Sequence, residues 1–259
     1  MSGRTLSESE AKQRRYYDRI AETYDQHYGS DHNLAYRERL FERVFGGVDL
    51  AGARVLDAMC GGGQNAAYFV DRGARVTGVD ISEKQCEQYR RRFPGSEVVC
   101  RSALDTGLPD GAFDVVFTDS LHHLHPHVRA GVREFHRLLR PGGSLVVWEP
   151  SSGSAFDLLR KAWYRLDRTY FEDNEASIDV DRLARDHADE LDMAEVVYGG
   201  NLGYLLVGLS MALRIPLRWV ERYAPAALRV EEAVLPLQGR RTALWVLARF
   251  VKRASARPA

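Results

Sequence analysis

From residue 53 onward, short β-branched apolar runs alternate with segments of helical period, and this rhythm limits the fold more than any other feature of the chain. The runs are residues 53–58 (ARVLDA), 74–79 (ARVTGV), 96–100, 113–118 (FDVVFT) and 144–149 (SLVVWE). Between them, residues 65–72, 83–93 and 128–139 read as helices. Strands that are apolar almost throughout and separated by helices form a parallel sheet covered on both faces. The expected class is therefore α/β, doubly wound. Ser82 is placed to N-cap the second helix. Pro141, Gly142 and Gly143 end the third and turn the chain back into the sheet.

After Glu149 the rhythm changes. Residues 154–170 read as an aromatic-rich helical insert, and 181–191 as one more helix covering the sheet. Residues 193–198 (MAEVVY) and 242–251 (TALWVLARFV) read as two closing strands. A hairpin connection normally takes about two to five residues, so residues 201–241 between them are an insertion. Within it Leu202, Leu205, Leu206, Leu209, Leu213, Leu217 and Val220 recur every three or four positions. That spacing predicts one face of a helix pair, broken at Pro216, with Arg214, Arg218 and Arg222 on a second face.

Composition removes several function classes. At 259 residues and 45% hydrophobic, the chain can bury a core without staples. Lys plus Arg equal Asp plus Glu at 36 each, so no global field draws in nucleic acid. The three cysteines, Cys60, Cys86 and Cys100, form no CxxC, which fits a reducing, cytoplasmic setting. Residues 1–15 hold no apolar signal core. The most apolar stretch, 202–220, is interrupted by Arg214, Pro216 and Arg218, so no membrane-spanning helix is expected.

The first strand runs into VLDAMCGGGQN (55–65). A glycine loop between strand and helix lets a ligand approach the backbone, and exposed N–H groups at the helix start favour an anion. About twenty residues on, the second strand delivers Asp80, placed to accept hydrogen bonds from ribose hydroxyls. Residues 61–66 also satisfy the dinucleotide pattern with alanine last, so a nicotinamide-dependent oxidoreductase stays open at this point.

The downstream segments narrow the choice. VLDAMCGGGQN is followed by VTGVDIS (76–82), FDVVFTDSLHHL (113–124) and REFHRLLRPGGSLVVWEP (133–150). In that order and spacing the chain resembles the class I S-adenosylmethionine-dependent methyltransferases, especially their small-molecule branch. The resemblance covers residues 16–149 well and the rest loosely. RRYYDRIAETYDQHY (14–28) is similar to the leading helix that folds over the cofactor in that family. The resemblance implies a Rossmann-like, seven-stranded, mostly parallel sheet whose last strand is antiparallel. It implies a helical lid over residues 1–50 and a methyltransferase domain over 51–259, with lid-forming helical insertions at 154–170 and 201–241.

The implied cofactor is S-adenosyl-L-methionine. Asp57, Ala58 and Gly61 would lie at its methionine end, with Asp119 near the same moiety. Asp80 and Ile81 would meet the ribose and adenine, and Ser102, Ala103 and Leu104 would flank the adenine. Tyr17 and Tyr24 would come from the lid helix. Two positions depart from the family pattern. Met59 stands where the first loop glycine is usual, which implies an ordinary backbone conformation there and a narrower methionine pocket. Ser102 stands where an aspartate often contacts the adenine amino group. A hydroxyl accepts that bond without charge, so weaker binding is expected.

His122, His123, His125 and His127 crowd the end of the fourth strand, where ligands sit in open α/β sheets. Methyl transfer from a sulfonium is an in-line displacement that needs alignment and exclusion of water. A hydroxyl acceptor also benefits from a base. The catalytic candidates are therefore His122, His123 and Glu149. The competing readings are a structural or cofactor-adjacent His123 and a helix-cap or loop role for Glu149. No metal site is expected, because no carboxylate set accompanies the histidines and Pro126 breaks a helical spacing.

Trp163, Tyr164, Tyr170, Phe171, Tyr204 and Trp219 either wall an apolar acceptor pocket or pack the insertions onto the sheet. The stripe at 202–222 is either a peripheral membrane contact or a core-facing helix. The leading expectation is methyl transfer to a small, apolar or lipid-linked acceptor, with O-methylation favoured. The rivals are the oxidoreductase and a methyltransferase-like protein that binds the cofactor in a cyclase or rearrangement role.

Overall fold

The apolar runs become strands because neighbouring residues along each are buried on opposite faces. Val55, Phe117 and Val146 enter one core cluster, while Leu56, Val116, Leu145 and Val147 enter the other. The computed structural model describes residues 6–166 and 175–254. The helices are α1 (Glu8–Tyr28), α2 (Asp31–Phe45), α3 (Ala66–Asp71), α4 (Glu83–Arg92), α5 (Val128–Leu138), α6 (Ala155–Leu166), α7 (Val180–Asp186) and α8 (Leu217–Val234). The strands are β1 (Arg54–Ala58), β2 (Arg75–Asp80), β3 (Glu97–Cys100), β4 (Phe113–Thr118), β5 (Leu139–Pro150), β6 (Leu191–Gly199) and β7 (Trp245–Lys252). They form one seven-stranded sheet in the order β3-β2-β1-β4-β5-β7-β6. β7 runs antiparallel to both β5 and β6, and the remaining pairs are parallel.

The strand order reverses between β1 and β4. Their carboxyl ends therefore open a crevice at a topological switch point, where open α/β sheets bind ligands. α1 and α2 stand beside that opening. α1 begins with a capping box: Ser7 Oγ accepts from the Glu10 amide, and the Ser7 amide donates to Glu10 Oε2 at 2.8 Å. α1 is tied to α4 by Arg92 and Asp25 at 2.5 Å, and by Ser82 Oγ donating to Asp18 at 2.7 Å. α2 sends Tyr36, Leu40, Phe41, Val44 and Phe45 into the core.

Three local readings need correction. β5 begins at Leu139, because Leu139 pairs with Phe113 across an irregularity that contains Pro141, Gly142 and Gly143. α7 stops at Asp186, where His187 leaves helical geometry and its Nδ1 engages Glu190. The insertion at 201–241 is not a pair of α-helices. Its first part is a π-type turn over Tyr204–Gly208, and Arg214 at φ 54° lies outside any helix. Pro216 does open α8, as its spacing predicts. Buried Glu231 accepts from the Asn201 and Tyr204 amides, at the start of this segment, and from Tyr36 Oη. Such a cluster satisfies a buried carboxylate; the departure from α-helix lies further on, where the Leu209 amide reaches back five residues to the Tyr204 carbonyl. Among the described residues, no helix is long and apolar enough to cross a membrane.

Candidate active site

The loop after β1 turns through three left-handed residues: Met59 at φ 61°, Gly61 at φ 52° and Gly63 at φ 88°. Met59 thus takes the glycine-like conformation that was not expected of it. For a side-chain-bearing residue this costs about 1–2 kcal/mol. The loop amides are not bare either. The Gly61 amide donates to Asp80 Oδ2 at 2.9 Å, and the Gly63 amide to the Cys60 carbonyl at 3.0 Å. Gly63 is needed for packing, since a Cβ there would lie 2.6 Å from the Phe93 ring.

Asp80 ends β2 with Oδ1 accepting from the Ser82 amide at 2.8 Å. Burial pushes its carboxyl up to about 6, although the Ser82 and Gly61 amides oppose the rise. Asp80, Ile81, Met59, Gly61, Ser102 and Ala103 line a narrow cavity of about 50 Å³. α1 closes it with Glu10, Gln13, Tyr17 and Tyr24. Four residues named from the resemblance stand outside this wall, Asp57, Ala58, Leu104 and Asp119: Ala58 is buried in the core, and Leu104 donates its amide to Ser102 Oγ at 3.1 Å. Asp57 is fully buried behind the loop, and neither carboxylate oxygen has a hydrogen-bond partner. Burial, reinforced by Asp119, raises its carboxyl well above the ordinary range, and Arg37 offsets only part of this.

Asp119 follows β4 and is paired with Arg37 at 2.8 Å. Burial alone would raise its carboxyl, but Arg37 holds it below the usual value. The Arg37 guanidinium also donates to Asn65 and sits over Trp148 at 5.2 Å. Arg37 and Glu10 escaped the sequence reading because each lies in a polar helical segment that gives no sign of burial. Glu10 accepts from Ser102 Oγ. A carboxylate therefore does reach the position where Ser102 lacks one, and it comes from α1.

A second cavity of about 440 Å³ adjoins the first. Its walls include Ile20, Trp148, Phe156, Leu159, Leu205 and Leu209, with Arg37, Asp119, His122, His123 and Glu149 among the polar groups. Trp163, Tyr164 and Tyr204 line it as well. Trp219 does not, being 48% exposed, and Tyr170 and Phe171 lie outside the described residues. Tyr17, Tyr24, Ser120 and His123 border both cavities.

The three catalytic candidates come together here. Glu149 is buried at the end of β5 and accepts from the Leu121 amide at 2.6 Å, the His122 amide at 3.2 Å and His122 Nδ1 at 2.8 Å. Burial raises the Glu149 carboxyl well above its usual range, opposed by the Leu121 and His122 amides; with Glu149 as the acceptor, His122 is a neutral imidazole protonated on Nδ1 that leaves Nε2 as the acceptor. Burial, with the neighbouring His123 ring, pushes His122 down to about 3. His123 Nε2 lies 2.9 Å from Tyr17 Oη, which anchors α1, and its Nδ1 lies 3.3 Å from Glu175 Oε1. A carboxylate does therefore accompany the histidines, contrary to the sequence reading. It was hidden because Glu175 is more than fifty residues away in the chain. His125 and His127 line neither cavity.

Residues 55–143 match a family model described as a methyltransferase domain. These residues thus have the sequence pattern of a methyltransferase domain. Across it, the chain is 38% identical over 109 residues to the phthiotriol/phenolphthiotriol dimycocerosates methyltransferase of Mycobacterium tuberculosis, covering 40% of each protein. It is 35% identical over 151 residues to the 27-O-demethylrifamycin SV methyltransferase of Amycolatopsis mediterranei, covering 51% of this chain and 55% of that one. The chain thus spans about half the length, or less, of the curated relatives it matches. The methyltransferase fold extends further than these alignments. The magnesium protoporphyrin IX methyltransferase of Synechocystis, solved with bound S-adenosylmethionine, superposes with TM-score 0.62 at 14% identity, over 97% of this chain and 100% of that one.

Proposed function

We propose that the chain transfers a methyl group from S-adenosyl-L-methionine to a small, largely apolar acceptor, with an oxygen nucleophile favoured. The shared wall of Tyr17, Tyr24, Ser120 and His123 carries this reading, because it sets a group in the narrow crevice against a group in the larger cavity. Residues 1–50 serve as the lid in this reading and 51–259 as the catalytic domain.

The residues present fit the cofactor. Asp80 uses one lone pair of each oxygen on the backbone, leaving acceptor capacity for a ribose diol. Met59, Ile81 and Ala103 offer an apolar slot for a purine, with the Glu10 carboxylate beside it. Asp119 is matched by Arg37, and Asp80 when ionised adds one unmatched negative charge, so the lining favours a ligand bearing ammonium and sulfonium charges. The pyrophosphate of a nicotinamide cofactor would meet those same carboxylates, which weighs against the oxidoreductase reading.

When bound, S-adenosylmethionine supplies an electrophilic methyl carbon on a cationic sulfur. The chain's own contribution is alignment and dryness. Tyr17 and Tyr24 close over the junction, and the aromatic wall excludes water. His122, oriented by Glu149, offers Nε2 to a hydroxyl proton as a weak base, so positioning supplies most of the acceleration. One relative is named for an O-demethylated rifamycin and another for dimycocerosates, which supports an oxygen acceptor and an apolar or lipid-linked one. Phe156, Leu158 and Leu159 on α6 are exposed beside the cavity, and they support a membrane-surface approach for such an acceptor.

The test is calorimetry with S-adenosylhomocysteine, followed by incubation of S-adenosylmethionine with candidate hydroxylated apolar compounds and mass analysis. Binding, with an acceptor gaining one methylene in mass, is the expected result. No binding at millimolar ligand removes the proposal. An acceptor converted without S-adenosylhomocysteine being formed reassigns the site to a cyclase or rearrangement role.

A further inference from the structure

We propose that His122, His123 and Glu175 form a divalent transition-metal site in the wall of the acceptor cavity. Their ligand atoms lie within 4.8 Å of one another, and all three residues line the cavity. Their side chains are 14%, 13% and 6% exposed, so this is a recessed cluster and not a patch of surface charge.

The geometry around the two histidines is that of ligands held by an outer layer. His122 gives Nδ1 to Glu149 at 2.8 Å, which leaves Nε2 as its donor nitrogen. His123 gives Nε2 to Tyr17 Oη at 2.9 Å and turns Nδ1 toward Glu175 Oε1 at 3.3 Å. Metal-bound histidines almost always engage a carboxylate, carbonyl or hydroxyl through their second nitrogen, which fixes the tautomer and the ring. The 3.3 Å separation also matches the edge of a tetrahedron with metal–ligand bonds of about 2.0 Å. The His122 and His123 rings lie 4.0 Å apart at 38°, so a small rotation about each side chain brings both nitrogens to one centre.

Two imidazoles and one carboxylate suit zinc, iron, cobalt or manganese over magnesium or calcium, which take mainly oxygen ligands. Three protein ligands leave a coordination position toward the cavity. There the ion takes an oxygen of the acceptor and, with His122 Nε2 now a ligand, replaces that nitrogen as the group facing the hydroxyl; this selects acceptors with a hydroxyl or enol at that depth. That last role rests on the methyl-transfer reading; the ion site itself does not.

The test uses full-length, tag-free protein stripped with a chelator and titrated with cobalt(II) chloride alone, without cofactor or acceptor. Wild type is expected to take up one equivalent, with visible ligand-field absorption. Glu175→Gln and His122→Ala should each lose that absorption. Glu149→Gln, which touches only the outer layer, should weaken binding about 10–100-fold. His127→Ala, an exposed histidine outside the cluster, should bind as wild type does. Circular dichroism identifies a variant that has not folded, and the remaining variant then decides. Wild type without cobalt binding at millimolar metal overturns the proposal, as does equal affinity in the folded His122 or Glu175 variant. Neither result bears on S-adenosylhomocysteine binding, so failure here and failure of the methyltransferase reading are separable.

Discussion

Asp80 shows how one buried carboxylate couples folding to ligand binding. Its carboxyl is raised from 3.8 to about 6 by burial, so the folded chain holds its proton more tightly than the unfolded one. The associated stability is complete below about pH 4 and is lost as pH rises through about 6; on this scale the ionised form costs roughly 3 kcal/mol. Ribose hydroxyls stabilise the ionised form. S-adenosylhomocysteine should therefore bind about tenfold more weakly at pH 5 than at pH 8, and Asp80→Asn should bind weakly with a flat profile; calorimetry across that range checks both. Met59 supplies a second test. At φ 61° an alanine keeps the strain and loses the packing, whereas a glycine loses both. Met59→Gly should be more stable than Met59→Ala by about 1 kcal/mol in urea unfolding. The opposite order, normal where φ is negative, would show that the left-handed turn is wrong. The sequence announced Asp80 through its spacing from the glycine loop. It did not announce the conformation of Met59, because no side-chain property encodes a left-handed backbone.

Among elements, the strands were legible and the helical additions only partly so. Runs such as 113–118 are buried on both faces and leave an apolar string that nothing else explains. The stretch at 201–216 has the same apolar content with helical spacing, yet its amides step back five residues, from Leu209 to Tyr204 and from Ile215 to Ser210, and no regular α-helix spans it. A slip of one residue in the hydrogen-bonding step leaves the apolar spacing almost unchanged, so a periodicity argument does not report it. α1 was visible as a helix, but its inward polar residues were not, since a buried Glu10 and an exposed one look alike in sequence. Glu10 now allows the two jobs of α1 to be separated. Glutamine can still accept from the Ser7 amide, so Glu10→Gln should leave the melting temperature almost unchanged. It removes the charge beside Ser102 and should weaken S-adenosylhomocysteine about five- to tenfold. Glu10→Ala should lose binding and also about 1 kcal/mol of stability. If glutamine binds as well as glutamate, Glu10 is only a cap.

At the scale of the whole molecule, the even charge balance conceals an uneven surface. In sequence the 202–222 stripe is open to membrane contact or a core-facing role, and in the structure its Val220 is buried in the core with Leu205 and Leu209 packed against it. What remains outside is Leu202, Leu213 and Trp219, with Arg222 stacked over Trp219 at 5.2 Å. The larger exposed apolar group is on α6: Leu158 is 70% exposed, Leu159 67% and Phe156 41%. Phe156 and Leu159 also line the acceptor cavity, and Lys161 and Arg165 are exposed on the same helix. In the proposed reading, an apolar rim continuous with the cavity and flanked by cations would let an acceptor pass from a bilayer without crossing water. Each leucine inserted is worth about 1.5–3 kcal/mol, so Leu158→Asp should reduce co-sedimentation with anionic vesicles by tenfold or more. The same substitution should leave turnover of a water-soluble acceptor intact, because Leu158 lies outside the cavity wall. Vesicles that fail to sediment the wild-type protein would mean that the acceptor arrives from solution, and the exposed leucines would then need another partner.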